Sequence, residues 1–210
     1  MLINPGIVAV IRLERVADLP AVCEALVAGG ITALEITLTI PGALAAMPDL
    51  LRRFSAAATV GAGSVTNVDS CRHALEAGAE FVVTPITRPE IAMVVHSRGR
   101  VVVMGAFTPT EAQTAHESGA DFVKIFPAAV AGPNYIRMLR GPLPHLRIIP
   151  TGGIDLENAG EFFRAGCVAL GVSTALISPD LVAGKNWAAL TRRTAEFVEI
   201  ARQRAVGQEK

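Results

Sequence analysis

The segment Ser118-Gly119-Ala120-Asp121-Phe122-Val123-Lys124-Ile125-Phe126-Pro127 holds the organisation of the chain in miniature. A helical pattern ends at Ser118 and Gly119, because glycine tolerates the positive φ of a helix C-terminus. A short apolar run with the composition of a buried strand follows at once. The same junction returns as Ala28-Gly29-Gly30-Ile31-Thr32-Ala33-Leu34-Glu35-Ile36, as Ala77-Gly78-Ala79-Glu80-Phe81-Val82-Val83, and as Ala165-Gly166-Cys167-Val168-Ala169-Leu170. Gly29, Gly78, Gly119 and Gly166 stand 49, 41 and 47 residues apart, room for two strand–helix units in each interval.

Filling those intervals predicts eight strands, at 7–12, 33–38, 59–62, 80–84, 101–104, 121–125, 147–150 and 168–171. Helical patterns occupy 14–28, 42–54, 67–78, 88–98, 109–118, 132–140, 155–165 and 186–205. Strict alternation of strand and helix implies parallel pairing through right-handed crossovers. Eight such units predict a single-domain α/β fold, a closed (β/α)8 TIM barrel, compact at 210 residues. An open doubly wound sheet is the competing architecture. No dinucleotide-type glycine fingerprint follows the first strand, which counts against it.

Side chains alternate along a strand, so Phe122, Lys124 and Phe126 share one face and Val123 and Ile125 the other. A buried ammonium is costly unless it is paired or loses its proton. Burial lowers a lysine pKa, and a free amine is a nucleophile toward carbonyl carbon. The alternative is a strand-end lysine whose tip reaches solvent. In the second strand Ala33, Glu35, Thr37 and Thr39 face inward, opposite Leu34, Ile36 and Leu38. Glu35 reads as a general base, or as a structural acid paired with Arg12 or Lys124. Arg12 shares its face with Val8 and Val10 at the C-terminal end of the first strand, the end where this fold keeps its active sites.

The last two strands run into Thr151-Gly152-Gly153 and Gly171-Val172-Ser173. Glycines there let backbone N–H groups approach an anion, and loops after strands seven and eight are the usual phosphate site of a TIM barrel.

The bulk properties narrow the classes. Lys plus Arg equals Asp plus Glu at 19 each, without long runs of either sign. The basic residues Arg192, Arg193, Arg202 and Arg204 lie among acids in a C-terminal helical pattern, a solvated face rather than a nucleic-acid surface. Mean hydropathy is +0.44, yet no apolar run reaches the ~20 residues of a membrane span. Met1 to Gly6 carries no signal-peptide pattern. Cys23, Cys71 and Cys167 show neither metal spacing nor a disulfide framework, so a reducing, cytoplasmic setting is expected. His73, His96, His116 and His145 are scattered and expected on surfaces, and no metal site or cofactor is expected.

Five motifs then occur in order: Val8-Ala9-Val10-Ile11-Arg12, Leu34-Glu35-Ile36-Thr37-Leu38, Gly61-Ala62-Gly63-Ser64-Val65, Lys124-Ile125-Phe126-Pro127 and Pro150-Thr151-Gly152-Gly153-Ile154. Together they resemble the 2-keto-3-deoxy-6-phosphogluconate (KDPG/KHG) aldolase family over nearly the whole chain. The resemblance implies a homotrimeric class I aldolase on a (β/α)8 barrel, a lyase of Entner-Doudoroff carbohydrate metabolism that needs no metal. Lys124 would form the Schiff base with the C2 ketone of a phosphorylated keto-acid, and Glu35 would move protons through a water. Proton removal from the C4 hydroxyl would release glyceraldehyde 3-phosphate and leave a pyruvate enamine, with the imine as electron sink. Thr151, Gly152 and Gly153, with Gly171, Val172 and Ser173, match the phosphate turns. Ser64 stands where threonine is frequent and keeps a hydroxyl for the substrate carboxylate, while Pro85 and Phe126 complete the substrate-binding set.

The chain departs from the family pattern at Thr39, where gluconate-type members carry an arginine that grips the pyruvate carboxylate. Threonine lacks the bidentate fork of arginine, and Arg12 could supply the charge, as in the branch acting on 2-keto-3-deoxy-6-phosphogalactonate. Ile86 and Met104 are smaller departures. The cleavage chemistry is untouched by these changes, but the C4 epimer, and activity on 4-hydroxy-2-oxoglutarate, stay open. A phosphosugar isomerase or epimerase on the same barrel would need two opposed acid/base groups or a metal, and a silent phosphate-binding protein would not need Lys124 and Glu35.

Overall fold

The computed structural model describes residues 4–207; Met1, Leu2 and Ile3 of the N-terminal expectation, the Arg204 side chain and Lys210 lie outside what is described. Strands β1 (Ile7–Ile11), β2 (Ala33–Thr37), β3 (Thr59–Gly63), β4 (Phe81–Val83), β5 (Val101–Ala106), β6 (Phe122–Ile125), β7 (Ile148–Pro150) and β8 (Leu170–Val172) form one parallel sheet in sequence order, with β1 also paired to β8. The ring is completed between β7 and β8 by a Thr151–Gly171 bridge and by the Val168 N–H donating to the Ile148 carbonyl at 2.9 Å. The expected barrel is therefore what the chain builds, and the open doubly wound sheet is not.

Helices α1 (Leu19–Ala28), α2 (Ala43–Phe54), α3 (Val68–Glu76), α4 (Pro89–His96), α5 (Pro109–Glu117), α6 (Ala128–Arg140), α7 (Ala159–Arg164), α8 (Pro179–Ala183) and α9 (Trp187–Gly207) connect and cover the strands. Their starts follow from local chemistry. Thr108 and Glu111 form a reciprocal capping box before α5, with Pro109 in the first turn, and the Asn67 side chain accepts from the Ser70 N–H at 2.8 Å to start α3. None of the helices among the described residues is long and apolar enough to cross a membrane.

Strand parity divides the interior into two layers, as the alternation predicts. Ile7, Ala9, Ile11, Leu34, Ile36, Val123 and Ile125 pack outward against the helices. Val8, Ala33, Phe81, Val83, Val103, Phe122, Ile149 and Ala169 fill the barrel itself. Each large side chain so buried contributes roughly 1.5–3 kcal/mol, and a one-residue slip would exchange the layers, so register is strongly specified. Phe81 lies across Gly61: a Cβ there would sit 2.5 Å from the ring. Phe81→Ala would empty that volume at a cost of about 3–5 kcal/mol.

The acid after Gly-Ala in the repeat has its own purpose. Glu80 accepts the Val60 N–H and Asp121 accepts the Val102 N–H, both at 2.8 Å, so each carboxylate anchors the strand that precedes its own.

Several boundaries differ from expectation. Arg12 lies beyond β1, whose pairing ends at Ile11. The region expected as helix from 14 begins as a 3-10 turn at Val16–Asp18, and α1 starts only at Leu19. Helix α6 begins four residues early and breaks at Gly132 (φ 71°, ψ 167°), a conformation Pro133 then locks in place. Strand β8 runs to Val172, and the short helix α8 was not anticipated. All four histidines are exposed, and the three cysteines are free and buried.

Candidate active site

Strands β2 and β6 stand four positions apart in an eight-stranded ring, on opposite walls. Glu35 and Lys124 both have inward parity and long side chains, so they meet near the barrel axis. Lys124 Nζ lies 3.6 Å from Glu35 Oε1, with the residues 5% and 2% exposed. That separation exceeds a charge-assisted hydrogen bond, and Glu35 Oε1 has no hydrogen-bond partner among the described residues. Burial pushes the Glu35 carboxyl above its usual range, and the Lys124 and Arg12 charges hold it partly back. The result is a carboxyl poised to gain and lose a proton beside a primary amine. The Phe126 ring centroid is 5.5 Å from Nζ, and the ring is partly exposed at the rim.

Glu35 has its place because Gly63 has no side chain. A Cβ on Gly63 would fall 2.1 Å from Oε1 and 2.6 Å from the carboxyl carbon. Sequence reasoning passed over this glycine, although Gly61-Ala62-Gly63 offered the signal: two inward-facing glycines on one strand mark a close approach. Thr37 was seen only as inward; it donates to the Ile11 carbonyl at 2.9 Å and ties the end of β2 to the segment leading into Arg12. Thr84, also passed over, donates to the Ile86 carbonyl at 2.6 Å and accepts the Gly105 N–H at 2.9 Å. It fastens the loop carrying Pro85 over Gly105, where a Cβ would meet Pro85 backbone at 2.3 Å.

The remaining expected residues divide. Arg12 is exposed at the mouth and makes no ion pair with Glu35 among the described residues, so a buried Arg12–Glu35 bridge is not formed. Thr39 is exposed, its hydroxyl 2.9 Å from that of Thr37. Ser64 caps β3 in the left-handed region at φ 59°, and Pro85 is half-buried. Ile86 is 42% exposed, whereas Met104 is buried in the helix-facing layer.

The turn after β7 is bolted down by its carbonyls: Thr151 and Gly152 accept the Ala128 and Ala129 N–H groups, each at 2.8 Å. Gly152 (φ 90°) and Gly153 (φ 78°) adopt conformations that favour glycine, and their N–H groups have no partner among the described residues. This arrangement suits an anion. In the second turn Gly171 and Val172 are the last residues of β8, which runs one residue beyond the expected 171, and Ser173 follows the strand. Gly171 lacks a side chain because Thr151 packs there, its Oγ1 2.2 Å from where a Cβ would stand. The Val172 side chain points into the helix-facing core. Only Ser173 of the three has a side chain at the mouth, and its hydroxyl donates to the Val10 carbonyl at 2.8 Å. A cavity of about 670 Å³ opens beside it, between the loop after β1 and α8, with Arg12, Ser173, Thr174, Ile177 and Lys185 on its walls. Among the described residues, no cluster of three or more His, Cys, Asp or Glu side chains could hold a metal.

The chain is similar to known proteins. The profile of the KDPG and KHG aldolases matches residues 1–193. The 2-dehydro-3-deoxy-phosphogluconate aldolase of Pseudomonas aeruginosa is 34% identical over 197 residues, covering 92% of this chain and 88% of that one. The 2-dehydro-3-deoxy-6-phosphogalactonate aldolase of Escherichia coli is 31% identical over 191 residues, covering 90% and 89%. The crystal structure of KDPG aldolase from Legionella pneumophila, with pyruvate captured at low pH as a covalent carbinolamine intermediate, superposes with a TM-score of 0.82 at 25% identity over 96% of this chain and 95% of that one. With a match over all but its last residues and a third of its positions shared along nine-tenths of its length, the chain belongs to the KDPG and KHG aldolase family.

Proposed function

We propose that this chain, an aldolase by family, cleaves 2-keto-3-deoxy-6-phosphogluconate to pyruvate and glyceraldehyde 3-phosphate through a Schiff base on Lys124. The observation that carries the proposal is the buried amine–carboxyl pair, Lys124 Nζ and Glu35 Oε1 at 3.6 Å. Lys124 adds to the C2 carbonyl to give a carbinolamine, and loss of water gives the iminium. Glu35, directly or through a water, takes the C4 hydroxyl proton. The C3–C4 bond pair then moves into the iminium, the aldehyde departs, and an enamine remains. Protonation at C3 and addition of water free pyruvate and restore the amine. An isomerase would need a second acid/base group opposite the first, whereas an amine beside a carboxyl supports imine chemistry.

The two ends of the substrate have candidate partners. Arg12 and Ser64 would hold the carboxylate, with Thr39, Pro85 and Phe126 along the wall; Thr151, Gly152, Gly153 and Ser173 would hold the phosphate. Relatives are named for the gluconate and for the galactonate substrate, and an uncharged Thr39 with Arg12 is the feature that favours the second epimer. The enzyme is proposed to act as a single-domain homotrimer in the cytoplasm; exposed Val130 and Met138 on α6, at 74% and 70%, provide apolar surface for such contacts.

Parallel kinetics on both C4 epimers and on 4-hydroxy-2-oxoglutarate tests the assignment. A higher kcat/KM for the gluconate epimer, the substrate for which more of these relatives are named, is expected. A reversed preference moves the substrate to the galactonate epimer, and no cleavage of any of the three overturns the function.

A further inference from the structure

We propose that Lys185 is a specificity residue of the proposed aldolase site, supplying the positive charge that its phosphate turns lack. This deepens the proposed function and rests on it. The turns at Thr151–Gly153 and at Ser173 contain no cation, yet a phosphate monoester carries close to two negative charges at neutral pH. Neutral N–H groups and hydroxyls orient such a group without balancing it. The cavity beside Ser173 continues past Thr174 to Lys185, so a dianion at Ser173 and the Lys185 ammonium would face one space.

Of the three cations around that cavity, Lys185 is the one with neither a carboxylate partner among the described residues nor a role already proposed. Arg15 is paired with Asp18 at 3.6 Å. Arg12 stands at the mouth near Glu35 and weighs on its ionisation. Glu14 is exposed on the β1 side. Lys185 makes no ion pair with any carboxylate among the described residues.

Its backbone is the second, independent observation. Helix α8 ends in a Schellman motif: the Asn186 N–H donates to the Leu181 carbonyl at 2.9 Å, and the Lys185 N–H to the Val182 carbonyl at 3.0 Å. Lys185 takes the left-handed position of that motif, φ 49°, where glycine is the ordinary occupant. Glycine stands one residue earlier, at Gly184, where φ is −78° and the backbone conformation does not call for it. A lysine at the position that favours glycine is a local disadvantage, and a cationic residue on the cavity wall is a reason to keep it.

The test compares wild type with Lys185→Gly, Lys185→Gln and Lys185→Arg, using the 6-phosphorylated substrate and 4-hydroxy-2-oxoglutarate. Glycine suits the left-handed backbone, so Lys185→Gly should fold at least as stably as wild type, and Lys185→Gln removes the charge without that relief. Both should lower the ratio of kcat/KM, phosphorylated over unphosphorylated, by about 2–5-fold through KM, the scale of one exposed charge–charge contact. Both should also flatten the fall of kcat/KM with added NaCl, and Lys185→Arg should retain most of the ratio. An unchanged ratio and salt dependence in either folded neutral variant overturns the inference. Borohydride trapping of pyruvate on Lys124 is read in the same samples. Its loss in wild type would overturn the aldolase proposal itself, whereas intact trapping with an unmoved ratio removes only the role of Lys185.

Discussion

Gly61 and Gly63 lie two residues apart on β3, both facing into the barrel, and a methyl group on either would collide with a buried side chain. On Gly63 it would lie 2.1 Å from Glu35 Oε1; on Gly61 it would lie 2.5 Å from the Phe81 ring. The collisions are of similar depth but differ in target. Glu35 is 2% exposed, so in Gly63→Ala the buried carboxyl must shift by about 1 Å from the position in which it pairs with Lys124. Overpacking of this kind costs ~1–3 kcal/mol of stability in both variants. A 1 Å displacement of a group that transfers protons costs roughly 100-fold in rate, and only Gly63→Ala should incur that loss. The assay is exchange of the pyruvate methyl protons with D2O, followed by NMR, which reports enamine formation without the aldehyde half of the reaction. Gly63→Ala should exchange ~100-fold more slowly per folded molecule, while Gly61→Ala, similarly destabilised, should stay within a few-fold of wild type. Equal rates in the two variants would refute the claim that Glu35 moves the proton from that position.

Three further outcomes are expected. Arg12→Ala should weaken borohydride trapping of pyruvate by one to two decades, since a charged contact contributes about 1.5–3 kcal/mol, and Thr39→Arg in that background should restore part of it; unchanged pyruvate affinity in the folded variant would exclude Arg12 from carboxylate binding. Gly153→Leu, at φ 78° and against Ala129, should raise KM for the phosphorylated substrate far more than for 4-hydroxy-2-oxoglutarate, and equal effects would make the turn purely structural. Burial raises the Glu35 pKa above its unfolded value of about 4.3, so the native state binds the proton more tightly, and this contribution to stability is full below pH ~4.3 and fades as pH rises through the folded pKa. Wild type should therefore lose Tm relative to Glu35→Gln on going from pH 4 to pH 8, and a parallel pair of Tm–pH curves would contradict that direction.

The residues that made the fold legible were those whose constraints are local. Glycine at helix ends, the four-fold junction and strand parity each act over a few residues, and they yielded the barrel, its two layers and the inward Glu35 and Lys124. What stayed hidden depends on a distant partner. Gly171 is legible as the end of a strand, but its lack of a side chain is explained only by Thr151, just past β7, which packs across from it. Gly63 acquires its meaning only from the carboxyl on the neighbouring strand. Helix α8 escaped because five residues beginning Pro179-Asp180 show no helical period, and Lys185, which ends it, carried no sequence signal beyond its neighbour Gly184. Arg12 reads as a strand residue by alternation, but pairing ends at Ile11 and frees it at the mouth.

The chain contains three lysines, Lys124, Lys185 and Lys210, so the central claim reduces to which of them reacts. Mass spectrometry of peptides from protein treated with pyruvate and borohydride decides it. The account predicts one reduced pyruvate adduct, on the peptide containing Lys124, and none after Lys124→Arg. An adduct on Lys185 or Lys210, or no adduct at all, would contradict it.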